Sequence, residues 1–240
     1  MEPTGGWTSE AVESGGIVER DLVVERDGAR VPGVVWWPSD GPAERLVLLG
    51  HGGTTHKRVD YLVEVARLAV GKGMAALAID GPGHGDRAYA DLAGGLEALG
   101  TAWARNGGTG GIVADWRAAL DFLERDQGAR PTGWWGLSMG TMMGLPVAAV
   151  EPRISIAVLG LMGTYGPVAD DLRRLAPEVR CPLRFLVQWD DELIPRDTCF
   201  ELFGLLGSTR KTLHANPGAH AAVPVMEVVA SVEYLDRHLG

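Results

Sequence analysis

Cysteine is nearly missing from this 240-residue chain: Cys181 and Cys199 are the only two, too few for a disulfide framework and not at zinc-ligand spacing. A reducing compartment fits that scarcity best. Basic charge is also short. Lys and Arg total 22 against 31 Asp and Glu, giving a net charge of −9, which argues against a broad basic face for nucleic acid. The arginines stand singly or in pairs such as Arg173 and Arg174, the pattern of a solvated surface. No apolar run approaches the roughly 18 residues that a membrane span requires, the longest lying near Ile154 to Met162. The N-terminal stretch MEPTGGWTSEAVESGG is acidic and polar where a secretory signal has a basic start and an apolar core, so no signal peptide and a cytoplasmic location are expected. Internal repeats and low-complexity tracts are absent as well.

What is present is ordinary for a globular protein, with 46% hydrophobic and 22% charged residues, and the length suits one α/β domain. Residues 1–15 read as a loose, flexible tail in which only Trp7 offers a group to dock, with a single domain over 16–240. Ile17 to Glu25 and Arg30 to Trp37 form a hairpin around Asp27-Gly28. Arg45 to Gly50 is a continuous apolar run of the doubly buried kind. Strands and helices then alternate: a helix over Val59 to Val70, a strand over Met74 to Ile79, an amphipathic helix over Gly111 to Gln127, and a strand ending at Leu137. A helix to about Val150 follows, then strands at Ile154 to Leu159, Leu183 to Gln188 and Arg210 to His214. Helices at about Asp197 to Leu206 and Ala222 to Leu239 complete the alternation. This order predicts an α/β fold with a mostly parallel, doubly wound sheet and antiparallel strands at its N-terminal side, its ligand beyond the carboxyl ends of the strands. Residues 87–110 and 160–179 fit neither state cleanly, and both leave that edge, where either can roof a pocket.

Chemistry concentrates in Pro131 to Met143, PTGWWGLSMGTMM, which contains Gly-x-Ser-x-Gly at a strand-to-helix junction. A serine there is lifted clear of the backbone, and the residues two before and two after it, Gly136 and Gly140, must lack side chains for strand and helix to approach. Ser138 is the candidate nucleophile. Such a serine needs a histidine base and a carboxylate to hold that base, following it in the chain. His214, His220 and His238 come late enough. His220, in the loop NPGAHAAVP after the last strand, is favoured over strand-end His214, and His238 reads as surface. The carboxylate belongs in WDDELIPRD, where Asp190 and Asp191 point opposite ways and spacing does not choose between them; Asp197 reads as a helix start. Two backbone donors for an oxyanion are expected at Met139 and at Gly53 in the His51-Gly-Gly turn, with Thr54 in reserve.

These motifs resemble those of an α/β-hydrolase of the dienelactone hydrolase-like and small serine esterase branch, from about Leu46 to the C terminus. The resemblance rests on HGG at His51 to Gly53, DGPGHGD at Asp80 to Asp86, GLSMG at Gly136 to Gly140, DELIP at Asp191 to Pro195 and PGAH at Pro217 to His220. It implies the α/β-hydrolase fold with a small cap or none, selects Asp191 over Asp190, and supports Ser138, His220, Gly53 and Met139 in their roles. Two features depart from the family: Pro146 inside the helix after the nucleophile, where a kink or early stop is expected, and serine where some dienelactone hydrolases use cysteine, so that a dienelactone substrate does not follow. Asp80, His84 and Asp86 read as a turn, not a metal site, and neither metal nor cofactor is expected. Trp134 and Trp135 should face opposite sides of the sheet. Thr54, Trp189 and Tyr165 are candidates to line the substrate pocket, and the thiols read as inert. The expected activity is hydrolysis of a small-molecule carboxylic ester of small or medium acyl group through an acyl-enzyme. A thioesterase or acyltransferase with the same residues, a lyase or dehydratase on the same fold, and a non-catalytic binding module are the alternatives.

Overall fold

The computed structural model describes residues 4–92 and 94–240. Its first difference from the sequence reading is at the N terminus, where the expected loose tail is strand. β1 (Thr4–Trp7) and β2 (Val12–Ser14) both pair antiparallel with β3 (Ile17–Arg26). The physical reason is Trp7: its ring lies 5.2 Å edge-on from Phe122 and 6.0 Å from Trp37, and Arg20 stacks over it at 4.8 Å. A single large aromatic half-buried this way offsets the ordering of a short polar strand.

β3 turns into β4 (Ala29–Pro38) through Asp27 and Gly28, whose φ values of 50° and 80° are those of the tight hairpin turn that Asp-Gly favours. The continuous apolar runs then make the parallel core: β5 (Arg45–Gly50), β6 (Met74–Ile79), β7 (Thr132–Gly136), β8 (Ile154–Gly160), β9 (Leu183–Gln188) and β10 (Lys211–Asn216). Their order is β1-β3-β4-β6-β5-β7-β8-β9-β10, with β2 also on β3. Strand direction of travel reverses at β5, between β6 and β7, and the ends of β5 and β7 therefore open the crevice where such sheets bind ligands.

Helices cover both faces. α1 (Asp60–Val70) turns Leu62, Val65, Ala66 and Ala69 inward and packs with α7 (Val225–His238) on one side. α3 (Gly108–Gln127), α4 (Met139–Val150), α5 (Ala169–Leu175) and α6 (Arg196–Leu205) cover the other. Trp134 and Trp135 are both buried, in the cores on opposite faces, as the alternation of strand side chains requires. α4 runs through Pro146 to Val150 without the early stop expected of a mid-helix proline; every residue from Met139 to Val147 is buried, and this packing holds the helix where its own hydrogen bonding is interrupted.

The two segments without clear pattern each hold a short helix. Residues 88–107 contain α2 (Leu96–Arg105), which leans on the turn after β6: a Cβ on Gly83 would stand 2.7 Å from the Ala102 Cβ. α2 also meets the loop after β8, because a Cβ on Gly100 would approach Pro167 to 3.1 Å. Among the described residues no helix is long and apolar enough to cross a membrane.

Candidate active site

Between β7 and α4 the chain reverses sharply at Ser138, whose φ of 58° and ψ of −120° lie outside the regions L-residues prefer. Contacts on both sides hold that strain. The Ser138 N–H donates to the Gly160 carbonyl at 2.9 Å, and the Thr141 hydroxyl accepts the Gly160 N–H at 2.7 Å, fastening the start of α4 to the end of β8. A Cβ on Gly136 would stand 2.9 Å from the Gly140 oxygen, and one on Gly140 only 2.3 Å from the Gly50 oxygen. Gly144, one turn further on, is equally confined, since its Cβ would fall 2.0 Å from Trp134 Nε1. Gly136 at the end of β7, with Gly140 and Gly144 one turn apart on α4, thus lets the helix descend directly onto β5 and β7.

The turn presents Ser138 Oγ to His220, whose Nε2 is 3.0 Å away. On the far side of the ring, Nδ1 lies 2.8 Å from Asp191 Oδ2. The other Asp191 oxygen, Oδ1, accepts the N–H groups of Leu193 and Ile194 at 2.9 and 2.8 Å. The carboxylate side chain is only 2% exposed, against 13% for the imidazole. With Nδ1–H donated to Asp191, Nε2 carries the lone pair that can take the serine proton. Asp190 faces the other way and accepts the Gly218 N–H at 3.0 Å, as two successive residues of an extended stretch should.

The loop after β5 brings Gly53 and Thr54 to the same edge. Neither the Gly53 nor the Met139 amide donates a hydrogen bond among the described residues, and Gly53 faces open space. Thr54 adopts φ 60°, unusual for a β-branched residue, and its hydroxyl donates to the Gly53 carbonyl at 2.6 Å. Groups that sequence reasoning passed over hold this loop. Buried His51 donates from Nδ1 to the Gly52 carbonyl at 2.8 Å and accepts the Gly81 N–H on Nε2 at 2.9 Å. Burial, opposed by the Gly52 bond, brings its pKa down to about 4, so the ring is neutral near pH 7. Tyr61 accepts the Gly52 N–H at 2.6 Å and Thr55 donates to the Gly52 carbonyl at 2.7 Å. Only the His-Gly-Gly triplet marked this region in the sequence.

The remaining candidates stand apart from the relay. Trp189 is half exposed, with Arg196 stacked over its ring at 4.1 Å and Phe200 at 6.4 Å. Tyr165 is half-buried and packs against the core. His214 faces Glu227 of α7, and His238 is exposed beside Tyr234. Asp80 is buried and takes the Lys57 ammonium at 2.7 Å together with the N–H groups of Lys57 and Asp86, and Lys57 also reaches Asp86 at 2.6 Å. Gly85 is required there, because its Cβ would lie 2.3 Å from Asp80 Oδ1. Among the described residues no group of three His, Cys, Asp or Glu could hold a metal ion. Cys181 and Cys199 are unpaired, and burial pushes their thiols up to about 11 and about 12, well away from reactive thiolates.

A sheet of this order with a serine raised at the β7–α4 turn defines an α/β-hydrolase fold. No protein-family model and no curated protein matches the chain, but solved structures do. A cold-adapted esterase from an Arctic intertidal metagenomic library, in a PEG-bound complex, is 54% identical over 98% of this chain and 100% of its own, with a TM-score of 0.92. A zinc-bound structure of a cold-adapted esterase from such a library is 51% identical over 98% and 100%, with a TM-score of 0.88. An acetyl xylan esterase from Paenibacillus sp. R4 shares the fold at 18% identity, covering 99% of this chain and 89% of its own, with a TM-score of 0.74. The chain belongs to the α/β-hydrolase family of esterases represented by the Arctic library structures.

Proposed function

We propose that the protein hydrolyses carboxylic esters of small or medium acyl groups through a serine acyl-enzyme. Ser138 attacks the ester carbonyl while His220 Nε2 takes its proton, and Asp191 keeps the imidazole in the productive tautomer and stabilises its charged form. The Met139 and Gly53 amides, both free to donate, receive the developing oxyanion. His220 then returns the proton to the leaving alcohol, and a water activated by the same ring releases the acid. The single observation that carries this reading is the unbroken Ser138–His220–Asp191 relay at 3.0 and 2.8 Å, beside a serine held at φ 58°. Esterases at 54% identity support the choice of ester over other acyl chemistry. Of the pocket candidates, Thr54 lies beside Gly53 at the reacting edge and is the one this reading places next to the substrate. Two free thiols accord with a cytoplasmic setting.

Ser138→Ala tests the assignment. It should lower kcat on p-nitrophenyl acetate by about 10⁶-fold and abolish labelling by a fluorophosphonate. Activity within tenfold of wild type would remove Ser138 from the mechanism.

A further inference from the structure

The base follows a strand that does not neighbour the serine's. β7, which delivers Ser138, and β10, which precedes the His220 loop, are separated by β8 and β9, so their ends are three strand spacings, about 14 Å, apart. The loop that spans this gap, Pro217 to Pro224, is poorly equipped to anchor itself: Pro217, Ala219, Ala221 and Ala222 are exposed, and Gly218 needs φ 114°. Apolar burial holds only its far end, where Val223 packs against the core, and polar contacts hold the part that carries His220.

Those contacts come from one stretch, the last residue of β9 and the four residues that follow it. Gln188, 1% exposed, donates from Nε2 to the Ala219 carbonyl at 3.1 Å and toward that of Pro217 at 3.5 Å. Asp190 accepts the Gly218 N–H at 3.0 Å and returns its own N–H to the Gly218 carbonyl at 3.1 Å. Glu192 accepts the backbone N–H of His220 itself at 2.9 Å. Backbone groups at four consecutive positions, 217 to 220, are thereby engaged by three side chains within five residues of one another, and Asp191 in their midst takes the ring. The His220 amide keeps the Glu192 carboxyl below its ordinary range, so the acceptor stays ionised near neutral pH.

We propose that Gln188, Asp190 and Glu192 are positioning residues that carry the His220 loop across the sheet edge and set the imidazole against Ser138. The inference rests on the reading of His220 as the general base. Displacement of such a group by even 1 Å can cost up to about 100-fold in rate, so loss of one hydrogen bond to the loop should act on kcat and leave substrate binding alone.

The test compares truncation with replacement by the neutral amide, which keeps an acceptor oxygen. Glu192→Ala should lower kcat on p-nitrophenyl acetate about tenfold with KM and thermal midpoint nearly unchanged, and Glu192→Gln should recover most of the loss. Asp190→Ala and Asp190→Asn should repeat the pattern, the double alanine variant should lose about 100-fold, and Gln188→Met, which keeps volume without the donor, should lose a few-fold. A double alanine variant with kcat within twofold of wild type overturns the proposal, as does a loss that neither Glu192→Gln nor Asp190→Asn restores. Amide hydrogen exchange reads the same contacts without any assay: the Gly218 and His220 N–H groups should be protected in wild type and unprotected in Asp190→Ala and Glu192→Ala respectively. Equal exchange in all three proteins overturns the clamp. Esterase activity that survives Ser138→Ala defeats the catalytic reading instead, and leaves the exchange result standing by itself.

Discussion

Around Ser138 the backbone is fixed by exclusion, whereas around His220 it is fixed by attraction. The serine turn admits one path because glycines at 136, 140 and 144 have carbonyl oxygens or an indole ring where a Cβ would go. The histidine loop is largely exposed from Pro217 to Ala222 and is drawn into position by Gln188, Asp190, Asp191 and Glu192. Steric exclusion is rigid and indifferent to pH, and a substitution that violates it is charged to folding. Hydrogen bonds on an exposed loop contribute little to folding, and a substitution there is felt as lost alignment. The two halves of one relay should therefore fail in different ways.

The sharpest contrast is between Asp191→Asn and Gly140→Ala. The asparagine can still accept the Leu193 and Ile194 amides, but it turns an N–H toward His220 and favours the tautomer that leaves Nε2 without a lone pair. Loss of kcat by about 10⁴-fold, equivalent to about 5.5 kcal/mol of barrier, should accompany a nearly unchanged thermal midpoint. In Gly140→Ala the new methyl meets the Gly50 carbonyl oxygen at 2.3 Å, a backbone atom in the sheet that cannot rotate away. Folding stability should fall by about 3 kcal/mol, measured by chemical denaturation, with activity lost in proportion as the turn opens. Near-native stability in Gly140→Ala, or a large stability loss in Asp191→Asn, would break the comparison.

The same contrast explains what was legible in the sequence. A steric requirement names its residue: Gly136 and Gly140 follow from the turn alone, as Asp27-Gly28 follows from the hairpin. The parallel strands were visible for a related reason, because burial on both faces favours apolar residues, and β5, β6 and β9 span the same residues that their largely apolar runs predicted. Ser138 and His220 could be proposed from spacing, while Asp191 over Asp190 needed the resemblance, since alternation states that they diverge without saying which one faces the ring. The holding groups were not legible. A backbone N–H accepts any oxygen, so Gln188, Asp190 and Glu192 carry no mark distinguishing them from solvated polar residues. β1 and β2 were missed because their order depends on Trp7 reaching Phe122, more than a hundred positions away. Gly144 needed knowledge of where Trp134 points.

His51 belongs to neither half, being buried like the serine turn and hydrogen-bonded like the histidine loop, and its pH dependence would tell which character governs the loop carrying Gly53. Its neutral ring donates to the Gly52 carbonyl and accepts the Gly81 amide. Burial lowers its pKa from an ordinary 6.5 to about 4, with the Gly52 bond opposing and His84 adding to the shift. As pH falls, the unfolded chain therefore binds this proton before the folded one does. The contribution of His51 to stability is complete above about pH 6.5 and declines toward pH 4, by up to about 3 kcal/mol. Protonated Nε2 is a donor facing the Gly81 donor, so the loop carrying Gly53 should loosen in the same window. Urea denaturation of wild type and His51→Asn at about pH 7 and about pH 4.5 isolates the effect: the side-chain amide can supply one donor and one acceptor but does not titrate here, and the stability gap between the two proteins should shift toward the variant at the lower pH. A gap independent of pH would mean that His51 takes up no differential proton, and that Tyr61 and Thr55 suffice to hold the loop.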